Sequence, residues 1–306
     1  MSSPHTVALM GSQRLKPRVK ELAHSMGAAG PFAIITAGWQ EREREDEELR
    51  AHLGGEAVNL ALGERVERVL AQDTELAGAL RARQEMLRHL QRVYRIRLRH
   101  AFDAELDVRT YGAPEALRSE IEDDSIEAIR ALDETHLGQC RRLREEFEDK
   151  WRPQKRRSLE AETEKVHEAL GSCGTVLIAG GHVAVLMNRM ELFDLGGLLR
   201  EKPVIGWSAG AMVLTQRIVL FHDDAPQGGL LREVLDQGLG LVEDMVVFPE
   251  PERRLEVENR ARTTHMLKRF APAQCVLLPE SSHVVIRGGR KLEMAGAEAL
   301  PGVERP

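Results

Sequence analysis

Two kinds of hydrophobic patterning alternate along the chain. Thr6-Val-Ala-Leu-Met10 is a short continuous apolar run closed by Gly11-Ser12, and Pro31-Phe-Ala-Ile-Ile-Thr-Ala-Gly38 is a second. Runs of this length bounded by turn residues predict buried strands. Arg14 to Met26 lies between them as a candidate helix, and a strand-helix-strand opening favours a parallel sheet. From about Gly63 to Leu170 the texture changes: Gly is scarce, Pro falls at Pro114 and Pro153, and charged residues alternate with apolar ones at helical spacing. Met86, Leu87, Leu90, Val93, Tyr94, Leu98 and Ala101 mark the stripe of one helix. Ile121, Ser125, Ile126, Ile129, Leu132 and Leu143 mark another, with Tyr111-Gly-Ala-Pro114 as the break. Strand patterns then resume at Gly174-Thr-Val-Leu-Ile-Ala-Gly-Gly181, Pro203-Val-Ile-Gly-Trp207, Met245-Val-Val-Phe248 and Gln274-Cys-Val-Leu-Leu278. Ser282 to Arg287 followed by Gly288-Gly289 predicts a terminal hairpin. The expected architecture is a discontinuous α/β domain, 1–61 and 166–306, with a parallel sheet flanked by helices, interrupted by a helical insertion at 62–165.

Composition narrows the possibilities. A chain of 306 residues with 42% hydrophobic residues can bury a substantial core. No apolar run approaches the roughly 20 residues of a membrane-spanning helix, so no membrane association is expected. The opening residues lack the basic segment of a secretory leader, which makes a cytoplasmic location the expectation. Three widely spaced cysteines, Cys140, Cys173 and Cys275, suit neither a disulfide framework nor a zinc cluster. With no dinucleotide fingerprint either, neither metal nor organic cofactor is implied. Long amphipathic helices cannot hide their stripes alone, and a homo-oligomer through the helical block is expected.

The sharpest chemical feature is Gly206-Trp207-Ser208-Ala209-Gly210-Ala211 after a strand pattern. Small residues on either side of a serine allow a strained strand-to-helix elbow, which exposes the hydroxyl at a helix start. Gly180-Gly181-His182 also follows a strand, and its amides could join that of Ala209 in one oxyanion hole. A plain glycine-rich turn is the alternative reading of each.

At these residues the chain resembles the aspartyl dipeptidase and cyanophycinase family of serine peptidases, whose fold is flavodoxin-like and similar to class I glutamine amidotransferases. Gly206 to Ala211 resembles the nucleophile motif. Ile178-Ala-Gly-Gly-His-Val-Ala-Val-Leu186 resembles the glycine loop, with His182 where the family usually has Asn. Leu277-Leu-Pro-Glu-Ser281 with the hairpin after it resembles the C-terminal segment, and Asp223-Asp-Ala-Pro226 the acidic stretch. The resemblance spans 171–300, more weakly 1–60, and leaves out the helical block. It implies a serine peptidase or amidohydrolase acting on a small peptide or amide, with Ser208 as nucleophile and Gly181 and Ala209 amides holding the oxyanion.

One departure concerns the general base. The family places a His after a proline on the strand that follows the acidic stretch, and here Val247-Phe-Pro-Glu-Pro251 puts Glu250 in that place. An imidazole with pKa of about 6.5 accepts a proton at neutral pH far better than a carboxylate of about 4.3. Asp224 and Glu250 are then the expected proton-handling partners, with His222 or His182 as other bases. A catalytically inactive member that binds a ligand and assembles through its helices is the competing reading. A third reading, an α/β-hydrolase, would use His283 on a loop after the last strand.

Charge supplies the remaining candidates. Net charge is -6, which gives no general reason to bind nucleic acid. Arg81, Arg83, Arg88, Arg92, Arg95, Arg97 and Arg99 form a local basic run, for which interhelical salt bridges to Ser119–Asp124 and Arg144–Asp149 are the simpler account; nucleic acid is thus not expected. Arg260, with Arg253, Arg254 and Arg262, suits a substrate-carboxylate clamp or surface ion pairs. His265, in a charged helix, is expected to be solvated.

Overall fold

The computed structural model describes residues 5–14, 16–28, 30–223 and 230–300. Five parallel strands form its centre: β1 (Thr6–Met10), β2 (Phe32–Ile35), β3 (Ala57–Asn59), β4 (Thr175–Ile178) and β5 (Val204–Trp207). They lie in the order β3-β2-β4-β5-β1, and the hairpin β10 (His283–Arg287) and β11 (Arg290–Ala295) extends the β1 edge antiparallel. Every residue of β1, β2, β4 and β5 is buried, the expected outcome for apolar runs covered on both faces. Ala8 and Met10 pack with Ile34, Leu177 and Ile205 against α1 (Val19–Ser25) and α2 (Glu47–Leu53). Val7 and Leu9, one residue out of phase, face the opposite layer with Ile35, Val176 and Ile178. That layer includes α3 (Leu62–Gln72), α6 (Arg157–Gly171), α7 (Val183–Leu192) and α9 (Ala209–Leu214), while the short α8 (Leu195–Leu199) follows α7.

The fold class matches the expectation: an α/β protein with a parallel-rich sheet between helices. Within it, α1 begins at Val19 and not near Arg14, because Pro17 supplies no backbone N–H for a continuing helix. Two small sheets complete the chain. One is the antiparallel pair β6 (Arg217–His222) and β7 (Leu230–Gln237); the other joins β8 (Met245–Pro249), β9 (Gln274–Leu278) and β12 (Glu298–Ala299). Between β8 and β9 run α10 (Pro251–Arg254) and α11 (Arg260–Phe270).

The helical block contains an antiparallel hairpin of two 37-residue helices, α4 (Thr74–Thr110) and α5 (Glu115–Trp151), turning at Tyr111–Pro114. At 1.5 Å per residue each is about 55 Å long. Residue 166, where the insertion was expected to end, falls inside α6, which packs on α3 in the sheet's own core. No described helix is long and apolar enough to cross a membrane.

A buried polar knot fastens the hairpin to the rest. The Arg269 guanidinium, 1% exposed, donates to both Asp133 carboxylate oxygens, to Tyr94 Oη and to the Arg232 carbonyl. Tyr94 Oη in turn donates to Asp133 at 2.7 Å and accepts from Val234 N. These contacts join α4, α5, β7 and α11. They also set which face of each helix points inward.

Three expectations change here. Leu87, Tyr94 and Leu98 are buried, but Met86 and Val93 of the same proposed stripe are exposed. Adjacent helical residues point 100° apart, so one dense apolar run holds two stripes. The arginine run does not bridge to α5's acids. Arg95 pairs with Glu233 on β7, and the Arg83 guanidinium lies 4.5 Å from the Phe147 ring centroid. Among the described residues Arg81, Arg88, Arg92, Arg97 and Arg99 make no ion pair. His265 is buried and packs with its ring tilted 40° against Phe102, because its helix turns that face toward the hairpin.

Removing Asp133 would strand the Arg269 charge in the interior. Asp133→Ala is expected to cost about 3–5 kcal/mol, read as a lower denaturation midpoint. Burial, reinforced by Arg269 and Arg232, pushes the His265 imidazole from 6.5 down to about 3. The unfolded chain then binds a proton between these values that the folded chain refuses, so stability falls on acidification from about pH 6.5 toward 3. His265→Leu should flatten that slope by up to about 1.4 kcal/mol per pH unit, measured by denaturation across the window.

Candidate active site

The candidate residues Ser208, Gly180 and Gly181 stand at the carboxyl ends of the parallel strands. Ser208 joins β5 directly to α9 with φ 51° and ψ -120°, a conformation that costs a non-glycine residue about 1–3 kcal/mol. Both flanking glycines are required by close approach. A Cβ on Gly206 would lie 2.5 Å from the Gly210 carbonyl oxygen, and one on Gly210 would lie 2.1 Å from that of Ile178. The elbow is pinned on the other side by Ser208 N donating to Met10 O at 3.1 Å, and Ser208 O accepts from Ala211 and Met212 N to start the helix.

The Gly180-Gly181 turn after β4 presses on this elbow. A Cβ on Gly180 would stand 2.8 Å from Ser208 Cβ. Gly181 has φ +113°, and its own Cβ would meet the Gly38 carbonyl oxygen at 2.4 Å. Among the described residues neither the Gly181 nor the Ala209 amide is spent on a turn or cap hydrogen bond. Both are therefore free to donate to an anion near Ser208. His182 N donates to Gly38 O at 2.7 Å, while His182 Nδ1 accepts from Val185 N and caps α7.

A third turn, missed in the sequence, completes the wall. Ala37–Arg42 is a 3-10 turn after β2, and Gln40 within it takes φ 58° and ψ -119°, nearly the angles of Ser208. The loop is held from behind: Thr36 Oγ1 donates to Glu43 O, Asn59 Nδ2 donates to Thr36, Glu43 and Asp46, and buried Glu43 accepts from the Gly63 and Glu64 amides. Arg189 Nη1 donates to Ala37 O at 2.7 Å. Exposed Gln40 thus stands on a rigid loop beside the glycine turn. Gly38 at a strand end, like Gly180 and Gly206, was the available signal.

Among the described residues the Ser208 hydroxyl has no hydrogen bond to any His, Asp or Glu. Glu250 follows β8 with φ 55°, its amide donates to Leu278 O, and its Oε2 accepts from Arg254 Nη2 at 3.0 Å. His222 ends β6, and its buried Nδ1 has no partner. Asp223 is buried, accepting from Arg232 Nη2 and Glu256 N. Asp224 lies outside the described residues. His283 opens β10 in register with Met10 and pairs with Glu293 at 3.2 Å, so it sits on a strand and not on the loop an α/β-hydrolase would use.

Arg260 is exposed at the start of α11. It lines a cleft of about 300 Å³ between α11 and the hairpin, with Arg109, Glu105, Glu122 and Lys268. Ser208 lines neither this cleft nor the clefts at Arg144, Glu148 and Glu191 and at Arg81, Glu85 and Arg92. All three cysteines are buried, and burial pushes the Cys140 and Cys275 thiols up to about 12, leaving neither as a nucleophile at neutral pH.

Comparison with known proteins agrees with the elbow. A peptidase from an acI-B1 Actinobacterium superimposes with a TM-score of 0.50 at 13% identity, covering 99% of this chain and 93% of that one. It shares the fold. A Listeria monocytogenes EGD-e protein provisionally assigned to peptidase E superimposes at 0.30 with 17% identity over 45% of this chain and 65% of that one, too slight to bear on the fold. No curated protein matches the chain. The sequence model of peptidase family S51 matches residues 134–294, which include the elbow, the glycine turn, the Glu250 segment and the β10–β11 hairpin. The chain belongs to peptidase family S51, the aspartyl dipeptidase and cyanophycinase family that its motifs resemble.

Proposed function

We propose that the chain is a serine peptidase or amidohydrolase acting on a small peptide or amide through Ser208. The observation that supports this most directly is the elbow itself: a strained serine at a helix start, wedged against a glycine turn, with two unspent amides beside it. In this reading Ser208 Oγ attacks the substrate carbonyl and the Gly181 and Ala209 N–H groups donate to the oxyanion. Glu250 takes the serine proton and returns it to the leaving amine, a role that requires it to leave Arg254 when substrate binds. Asp224 and His222 complete the proton-handling set. Gly180 shapes the hole, and His182 and Arg260 take up the peptide's polar groups.

A second reading rests on a separate observation. Glu250 and Asp223 are each paired with an arginine, and among the described residues the Ser208 hydroxyl has no hydrogen bond to a base. A protein that keeps the pocket for ligand binding and has lost turnover would have this arrangement.

A fluorophosphonate probe separates the two. Under the first reading wild type is labelled, Ser208→Ala abolishes labelling, and Glu250→Gln lowers its rate at least about tenfold. If wild type stays unlabelled but Glu250→His is labelled, the site lacks only its base and the second reading stands. Gly210→Ala is expected to lose labelling with at least about 2 kcal/mol of stability, since its new methyl would enter the Ile178 carbonyl; unchanged labelling would show that the elbow does not set the nucleophile.

A further inference from the structure

We infer that the outer face of the helical hairpin binds the same face of a second copy of this chain, laying α4 of each protomer antiparallel along α5 of its partner. The inference stands apart from the catalytic reading and holds whether or not Ser208 turns over.

The outer side of α4 carries a seam of four apolar residues and two histidines on which no other described element packs. Ala82, Met86, His89, Val93, Ile96 and His100 follow one another in alternating steps of four and three, the spacing of a helix-packing seam. All six are exposed, Met86 by 50%, Val93 by 55% and Ile96 by 45%, on a helix whose inward face is already filled by Leu87, Tyr94 and Leu98. Arg81, Arg88, Arg92 and Arg99 run beside the seam without an ion pair.

The outer side of α5 is its complement in both size and charge. Ala128, Ala131, Thr135 and Gly138 follow the same alternation, and nothing but the Arg142 guanidinium stands within 4 Å of a Cβ placed on Gly138. Large residues on one helix and small ones on the other can interdigitate. Acid flanks the small row at Glu120, Asp124, Glu127, Glu134 and Glu145, all exposed. Glu127 and Glu134 have only surface partners, Arg130 and Arg217, and such pairs are worth little.

The two rows also stand at the same height. Tyr94 Oη and Asp133 Oδ1 lie 2.7 Å apart, which sets the register of the hairpin. Counting outward in opposite directions from that pair brings His89 level with Gly138, Val93 with Glu134, Ile96 with Ala131 and His100 with Glu127. A two-fold axis parallel to the helices preserves height and exchanges α4 for α5. Two hairpins stacked this way set Val93 and Ile96 against Thr135 and Ala131, with Arg92 near Glu134 and Arg99 near Glu127. The contact is isologous, as a closed dimer requires.

The test is sedimentation of the full chain, which is expected at twice its 34.3 kDa mass. The double variant Arg92→Glu with Arg99→Glu, and the double variant Glu127→Arg with Glu134→Arg, should each be folded by circular dichroism and at least about tenfold weaker in self-association. Each reversed protomer places like charges together at both contacts with itself and opposite charges together at both contacts with the other. An equimolar mixture of the two variants should therefore restore a dimer. A monomeric wild type overturns the inference, as does a dimer untouched by either reversal or a mixture that stays monomeric. A monomeric wild type that retards a short DNA duplex would assign the arginine row to nucleic acid instead.

Discussion

No side chain fits between the turns that meet at the carboxyl edge of the sheet. Gly38, Gly180, Gly206 and Gly210 each bring one backbone segment so close to the next that an added Cβ would fall 2.1 to 2.8 Å from another atom. This exclusion packs three strand ends into one rigid wall, and it holds Ser208 in a conformation that an isolated peptide would avoid. The strain is sustained by bonds on either side, from Ser208 N to Met10 O and from His182 N to Gly38 O. The oxyanion hole proposed for Ser208 would need this kind of support, since amides cannot be repositioned by choosing a rotamer.

Charge is treated in two different ways in the same molecule. Inside, Arg269, Asp133 and Tyr94 satisfy one another completely and join the hairpin to β7 and α11. The chain continues from β7 through Arg232 to Asp223, next to the acidic stretch, so the hairpin and the edge of the candidate site share one polar scaffold. Outside, positive charge collects along α4 and negative charge along α5 without meeting inside one protomer. The family match begins at residue 134, so it takes in the second half of α5 together with β4 to β10 and the helices between them, and leaves α4 outside.

Much of the architecture was legible one residue at a time. Short apolar runs bounded by turn residues, such as Thr-Val-Ala-Leu-Met and Thr-Val-Leu-Ile, favour buried strands, and Gly-x-Ser-x-Gly behind such a run favours a sharp turn, so β1, β4, β5 and the elbow were legible from local pattern. The helical hairpin and its turn at Tyr111–Pro114 followed from period and from the scarcity of glycine. Less was legible where strands are short or polar. β3 has three residues, and β7 sets its apolar and charged residues in pairs and not in alternation, so neither rises above its surroundings. The Gln40 turn was hard to see because its strain falls on an ordinary residue, with Gly38 two positions earlier as the one local signal.

The sequence by itself determined the alternation of strand and helix and the serine elbow, because each depends on neighbours within a few residues; that Glu250 stands where a histidine is expected is what the family resemblance implies. Only the tertiary structure decided which side chains meet. It buried His265, gave Glu250 to Arg254, sent Arg95 to β7, and left five arginines of α4 without acid partners. A helical period fixes which residues share a face but not where that face points. That direction is set by contacts between residues far apart in the chain, here by the Arg269 knot, which no window of sequence contains.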